Sequence, residues 1–177
     1  ALMLIGGIAL SLTPASRDWI PEKKQKNQQR LWQDRAIQLL MFEGCFIGFG
    51  WGVFDVAVPA FATQEGVQHR VAWIFASFGA ATVVGGLLGG LVSKKFAPLS
   101  ALRLAYLLWL IACLPVAFTY PDWSMALIGA CIGFLGGAVQ VFYFEVLEAV
   151  RPKGSQTASL GWIWSVEGSF MALGAAV

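Results

Sequence analysis

Residues 36–61 read AIQLLMFEGCFIGFGWGVFDVAVPAF. A run of this length crosses a bilayer, because the hydrocarbon core takes about 20 mostly apolar residues in a helix. Yet the run carries two carboxylates, Glu43 and Asp55. A charge facing lipid costs roughly 2.5–3.5 kcal/mol on insertion scales, and a soluble core accepts an unpaired carboxylate no more readily. A helix inside a membrane bundle, with its carboxylates turned toward protein or a water-filled path, avoids both costs. Gly44, Gly48 and Gly52 recur every four residues and form a small-residue stripe that lets a neighbouring helix approach closely. At 3.6 residues per turn Glu43, Ile47, Trp51 and Phe54 share one sector, with Asp55 nearer the glycine stripe. This helix is expected to line a pathway, with the other segments as its supports.

The composition agrees. Of the 177 residues 58% are hydrophobic and 12% are charged, where soluble domains carry about 25% charge. Mean hydropathy is +0.68. The fold class expected is an all-α polytopic membrane bundle, with the lipid bilayer as its medium. Cys45, Cys113 and Cys131 lie in apolar runs at no metal or disulfide spacing and read as small buried hydrophobes. His69 is the only histidine, so no histidine-based metal site is expected. Neither a cofactor nor a nucleic-acid partner is expected. Both ends read as cut: residues 1–13 resemble the tail of a transmembrane helix, and Val177 falls inside an apolar run.

Residues 14–35 form a basic segment with Arg17, Lys23, Lys24, Lys26, Arg30 and Arg35. They read as a solvated loop, parts of which suit an interfacial helix. A bundle of five spans then occupies 36–177, at about 36–61, 71–92, 99–120, 123–149 and 155–177. The second contains Gly85, Gly86, Gly89 and Gly90. The third contains Pro115, which membrane helices tolerate where neighbours re-satisfy the freed carbonyl. The fourth contains Gly129, Gly133 and Gly137. Cytoplasmic loops are enriched in Lys and Arg. Placing loop 14–35 inside also puts 93–98 and 150–155 inside, with Lys94, Lys95, Arg103, Arg151 and Lys153, and leaves Arg70 outside. Trp73 and Trp123 then mark the outer interface and Trp32 the inner one. The expected location is the cytoplasmic membrane.

Five carboxylates lie in or at the ends of spans: Glu43, Asp55, Glu145, Glu148 and Glu167. No basic residue lies deep in a span to neutralise them. An acid taken out of water without a cationic partner exchanges its proton nearer neutral pH. That chemistry suits proton coupling, or binding of a cation between carboxylates and aromatic rings. Glu43 is the leading candidate, set against a purely structural hydrogen bond to a neighbouring helix. Glu145 and Glu148 sit close to Arg151 and Lys153 and suit a gate or ion-pair latch. Glu167 shares a face with Gln156, Leu160, Trp164 and Met171. Trp51, Phe142, Tyr143 and Trp164 are aromatic contacts or ordinary packing. An enzyme is disfavoured: there is no nucleophile with a histidine base, no metal cluster and no phosphate-binding glycine loop.

A basic central loop followed by spans in this order resembles the second half of a major facilitator superfamily transporter. The best local marker is GGLVSKK, Gly89 to Lys95. It resembles the family's inner-loop motif G-x-x-x-D-[RK]-x-G through Gly89 and Lys94. Ser93 stands in place of the acid and Phe96 in place of the second glycine. On this resemblance residues 1–12 end the sixth helix and the five spans are the seventh to eleventh. The first half of the same protein and the twelfth helix then lie outside the chain. The resemblance implies that the seventh and tenth helices line the central cavity, which places Glu43, Trp51, Asp55, Gln140, Tyr143 and Glu145 near the pathway. It also implies that the eighth and eleventh pack at the seam between halves.

The function expected is secondary active transport of a small solute by alternating access. Acidic groups on lining helices favour a proton-coupled antiporter that exports a cationic or amphipathic compound. Uptake of a sugar or organic acid is the alternative within this class. A non-transporting receptor or scaffold would scatter its polar groups along helix seams instead of converging them on one cavity. A channel or membrane-embedded enzyme subunit would show a continuous pore or a clustered His/Asp motif.

Overall fold

The computed structural model describes residues 11–14, 33–93, 95–152 and 154–177. The basic segment 15–32, the apolar tail 1–10, Lys94 and Lys153 lie outside the described residues. Among the described residues five α-helices follow in order from Arg35: α1 (Arg35–Gln64), α2 (Val71–Ser93), α3 (Pro98–Cys113), α4 (Trp123–Val150) and α5 (Gln156–Ala175). Short connections join them. Arg35, Lys95, Arg103 and Arg151 mark one end of the bundle, called here the basic end. Trp73 and Trp123 mark the opposite end.

Local chemistry sets the helix boundaries. Asp34 caps α1 by accepting from Ala36 N at 2.8 Å and Ile37 N at 3.4 Å. Asp122 caps α4 by accepting from Ser124 N at 2.7 Å. The third span is not one continuous α-helix as expected. Its α-helix stops at Cys113, and Leu114–Phe118 continues as a 3-10 helix with Pro115 in the first turn. A proline has no N–H to give to an α-helical ladder, so it sits where that N–H is spare.

Among the described residues four stretches are long and apolar enough to cross a membrane: Arg35–Gln64, Gln68–Ser93, Pro98–Phe118 and Trp123–Val150. Helix α5 is 20 residues long, but Gln156, three serines and Glu167 make it more polar than the other four. Outward faces carry bare apolar side chains: Leu91 is 70% exposed and Phe46 66%. In water these would drive association, and in a bilayer they meet lipid or another helix.

Glycines decide the pairing. Helix α1 packs along α5, and α2 packs along α4, with α3 leaning on α4. A methyl group built on Gly48 would overlap the Glu167 carbonyl, and one on Gly52 would overlap that of Met171. In return Gly174 gives way to the Phe49 carbonyl. On the other pair Gly85 accommodates Phe134, while Gly133 and Gly137 accommodate Phe78 and Thr82. Small residues let these backbones touch. Within the chain the glycine face of α2 is occupied: Gly85 and Gly89 pack on α4. A helix spends its smallest residues where its nearest neighbour lies.

Two apolar clusters hold the pairs together. One lies toward the basic end and gathers Ile37, Leu40, Leu102, Phe142, Leu147 and Ile163. The other lies toward the opposite end and is built on Val58, Ile74 and Met125. Between them, at mid-depth, the packing opens.

Candidate functional site

The opening begins with spacing. On α1 Glu43, Ile47 and Trp51 recur every four residues beside the glycine stripe, so the stripe meets α5 while they turn toward α3 and α4. On α3 Tyr106 and Trp109 are three apart. On α4 Gly136, Val139, Gln140 and Tyr143 occupy one face across two turns. Helix α5 enters through Glu167, brought near by the absence of a side chain at Gly48.

These residues other than Glu43 surround a cleft of about 30 Å3, room for one or two waters. Its polar groups are Gln140, Tyr106, Tyr143 and Glu167, and its aromatic wall is Trp51 and Trp109. Ile47, Tyr106 and Trp109 also line a second, wider groove of about 580 Å3 between α1 and α3, which holds Glu43 and Arg103. The two spaces therefore share one wall.

Within that wall the Glu43 Oε1 and the Tyr106 hydroxyl are buried without a well-formed hydrogen bond. They still lie close enough to interact with each other, and Tyr106 also interacts with Tyr143 and Glu167. Tyr143 interacts with both carboxylates, and its hydroxyl donates to the Leu40 carbonyl at 3.3 Å, tying α4 to α1. Two acids and two phenols from four helices thus form one polar group in an apolar setting. Such a group is costly unless a proton, a cation or water compensates it.

Ring contacts and one hydrogen bond hold the aromatic wall. The Trp51 ring lies 5.3 Å from Phe78, 5.9 Å from Trp109 and 6.1 Å from Phe54, within the range of favourable ring pairs. Trp109 Nε1 donates to the Ile132 carbonyl at 3.1 Å. That bond holds the indole against α4 and leaves its ring toward the cleft.

Of the residues singled out by sequence, Trp51, Gln140, Tyr143 and Glu167 come together around the cleft, and Glu43 joins them through Tyr106. Asp55 is exposed and Glu145 half-buried, and neither lines the cleft or the adjoining groove. At the basic end Glu148 pairs with Arg151 one turn along α4 and its cap. Gly89 packs against Ala138. Ser93 is buried and its hydroxyl donates to the Gly90 carbonyl of its own helix at 3.1 Å. Lys95 is exposed, and Lys94 lies outside the described residues. Tyr106 and Trp109 were not anticipated. Aromatic residues are common in apolar spans, and only their three-residue spacing opposite Trp51 would have marked them. Among the described residues no three His, Cys, Asp or Glu side chains gather to hold a metal.

No curated protein and no solved structure matches the chain. The family model of the Major Facilitator Superfamily matches residues 1–175. With nearly its whole length covered by that match and four apolar helices long enough to span a bilayer, the chain belongs to the Major Facilitator Superfamily of membrane transporters.

Proposed function

We propose that this chain is the second helical half of a proton-coupled secondary transporter that exports a cationic or amphipathic compound across the cytoplasmic membrane. The first half of the same protein completes the pathway, and the basic end faces the cytoplasm. The observation that carries this reading is the convergence of Glu43, Tyr106, Tyr143 and Glu167 at mid-depth beside Trp51 and Trp109. Glu167 at the cleft and Glu43 in the adjoining groove can be compensated in turn by a proton and by an organic cation. Exchange of one for the other is the elementary step of antiport. The indole faces supply cation–π attraction and apolar contact, worth about 0.5–2 kcal/mol for each well-placed ring. Alternating access follows from rocking this half against the other about the site.

Reconstituted full-length protein in vesicles with an imposed pH gradient tests the reading. Gradient-driven movement of amphipathic cations in wild type, lost in Glu43→Gln, supports it. Gradient-driven movement that survives Glu43→Gln reduces Glu43 to a packing role. Movement of neutral sugars or organic acids in place of cations transfers the site to the uptake alternative.

A further inference from the structure

Three residues line both the cleft and the adjoining groove: Ile47, Tyr106 and Trp109. Ile47 carries no polar side-chain atom. The Trp109 N–H is committed to the Ile132 carbonyl. Of the three, only Tyr106 has a hydrogen left to give to either space. Its hydroxyl is buried without a well-formed hydrogen bond, as is Glu43 Oε1, and the two groups interact. Toward the cleft Tyr106 also interacts with Glu167. Tyr143 interacts with the same two acids, but its O–H already goes to the Leu40 carbonyl at 3.3 Å.

Other ionisable groups stand apart. Arg103 and Cys113 line the groove but not the cleft. Arg103 is exposed, one turn from Tyr106 toward the basic end, and Cys113 lies two turns the other way. Helix α4 adds Tyr143 and the uncharged Gln140, and no residue of α2 lines either space. Two acids on α1 and α5 therefore share one uncommitted phenol on α3. A phenol has a single hydrogen to give. In an apolar setting the carboxylate that receives it is held ionised, while the other is neutralised by a proton of its own.

We propose that Tyr106 is the positioning residue that links the two acids, giving its one hydrogen to Glu43 or to Glu167 but never to both. In the resting arrangement Glu43 is ionised and takes that hydrogen, while Glu167 holds a proton. An organic cation that settles on Glu43 replaces the phenol as its partner. The phenol then turns to Glu167, which releases its proton. One cation is bound and one proton is lost, and the Tyr106 O–H bond stays intact throughout. The exchange step rests on the proton-coupled reading above, whereas the link between the acids stands without it.

The test titrates the full-length protein in nanodiscs and follows the carboxyl stretch by infrared difference spectroscopy. The band lost in Glu167→Gln reports Glu167. Glu43→Gln is expected to move the Glu167 midpoint by about 1 pH unit or more, the size at which two sites titrate as a pair. Tyr106→Phe removes the hydroxyl and keeps the ring, and in its background Glu43→Gln should move the midpoint by less than about a third as much. Tyr143→Phe should leave most of the movement in place. A full movement that persists in Tyr106→Phe, or that Tyr143→Phe alone removes, overturns the proposal. Wild type and Glu43→Gln alone suffice to overturn it, if the midpoint stays where it was. Linked titrations in a protein that moves no cation under a pH gradient would uphold the link and overturn the transport reading. Gradient-driven transport with unlinked titrations would do the reverse.

Discussion

Gly48→Ala is the most informative single change, because it loads the contact that positions Glu167. The added methyl would sit on the Glu167 carbonyl, with that group's carbon only 2.9 Å away. Ordinary carbon–carbon contact is about 3.5 Å, so α1 and α5 must separate by at least about 0.6 Å. Neither atom belongs to a flexible side chain that might swing aside. Overpacking of this kind costs about 1–3 kcal/mol, against a helix-propensity gain of up to about 1 kcal/mol for Gly to Ala. The expected net loss is about 1–2 kcal/mol. Gly161→Ala on α5 is the control: nothing lies within 4 Å of its added methyl, so it should gain about 0.5–1 kcal/mol. Gly52→Ala overlaps the Met171 carbonyl in the same seam. One separation of the helices relieves both clashes, so the double variant should cost less than the sum by about 0.5 kcal/mol or more. Denaturant unfolding of the full-length protein in detergent, followed by tryptophan fluorescence, measures all four. Equal stabilities for Gly48→Ala and Gly161→Ala would refute the reasoning, because the helices would then not touch at Gly48.

Three further outcomes follow. Trp109→Phe keeps most of the ring surface but loses the bond to Ile132 O; it should cost about 0.5–1.5 kcal/mol, read in the same unfolding assay, and weaken substrate binding more than Phe78→Tyr does. The Asp122 carboxyl is held below the usual carboxylate range, first by hydrogen bonding to Ser124. Its cap on α4 is thus fully present above about pH 4 and lost as pH falls through the lowered value, so amide exchange at the start of α4 should rise on acidification in wild type and stay flat in Asp122→Asn. Glu148→Gln removes an ion pair whose acid is well exposed, and should move stability by less than about 0.5 kcal/mol while any change in transport rate identifies a gating role.

Much of the architecture is legible in the sequence because membrane helices obey few rules. Long apolar runs fix α1, α2 and α4, and glycines at four-residue intervals mark the faces where backbones meet. What the intervals do not reveal is which helix fills each face. The glycines of α2 suit an external seam as well as they suit α4, and only the three-dimensional pairing decides. Asp55 shows a similar limit. It lies three residues from buried Gly52, yet the helix turns it outward. Pro115 signals an irregularity, but whether the chain kinks or tightens into a 3-10 turn depends on its neighbours. The candidate site is half legible: buried charge is rare enough to identify Glu43 and Glu167, whereas Tyr106 and Trp109 resemble any aromatic residue in an apolar span. Their role emerges only when α3 is laid against α4.

The central claim is that one proton and one organic cation compete for Glu167 of the cleft and Glu43 of the adjoining groove. It is tested most directly by proton release on binding. The full-length protein in weakly buffered detergent solution is titrated with a cation it transports, and the pH change is recorded for wild type, Glu43→Gln and Glu167→Gln. Release of about one proton per protein in wild type, abolished or strongly reduced in either variant, is the result predicted. Cation binding without proton release in wild type, or release that both variants retain in full, would contradict it.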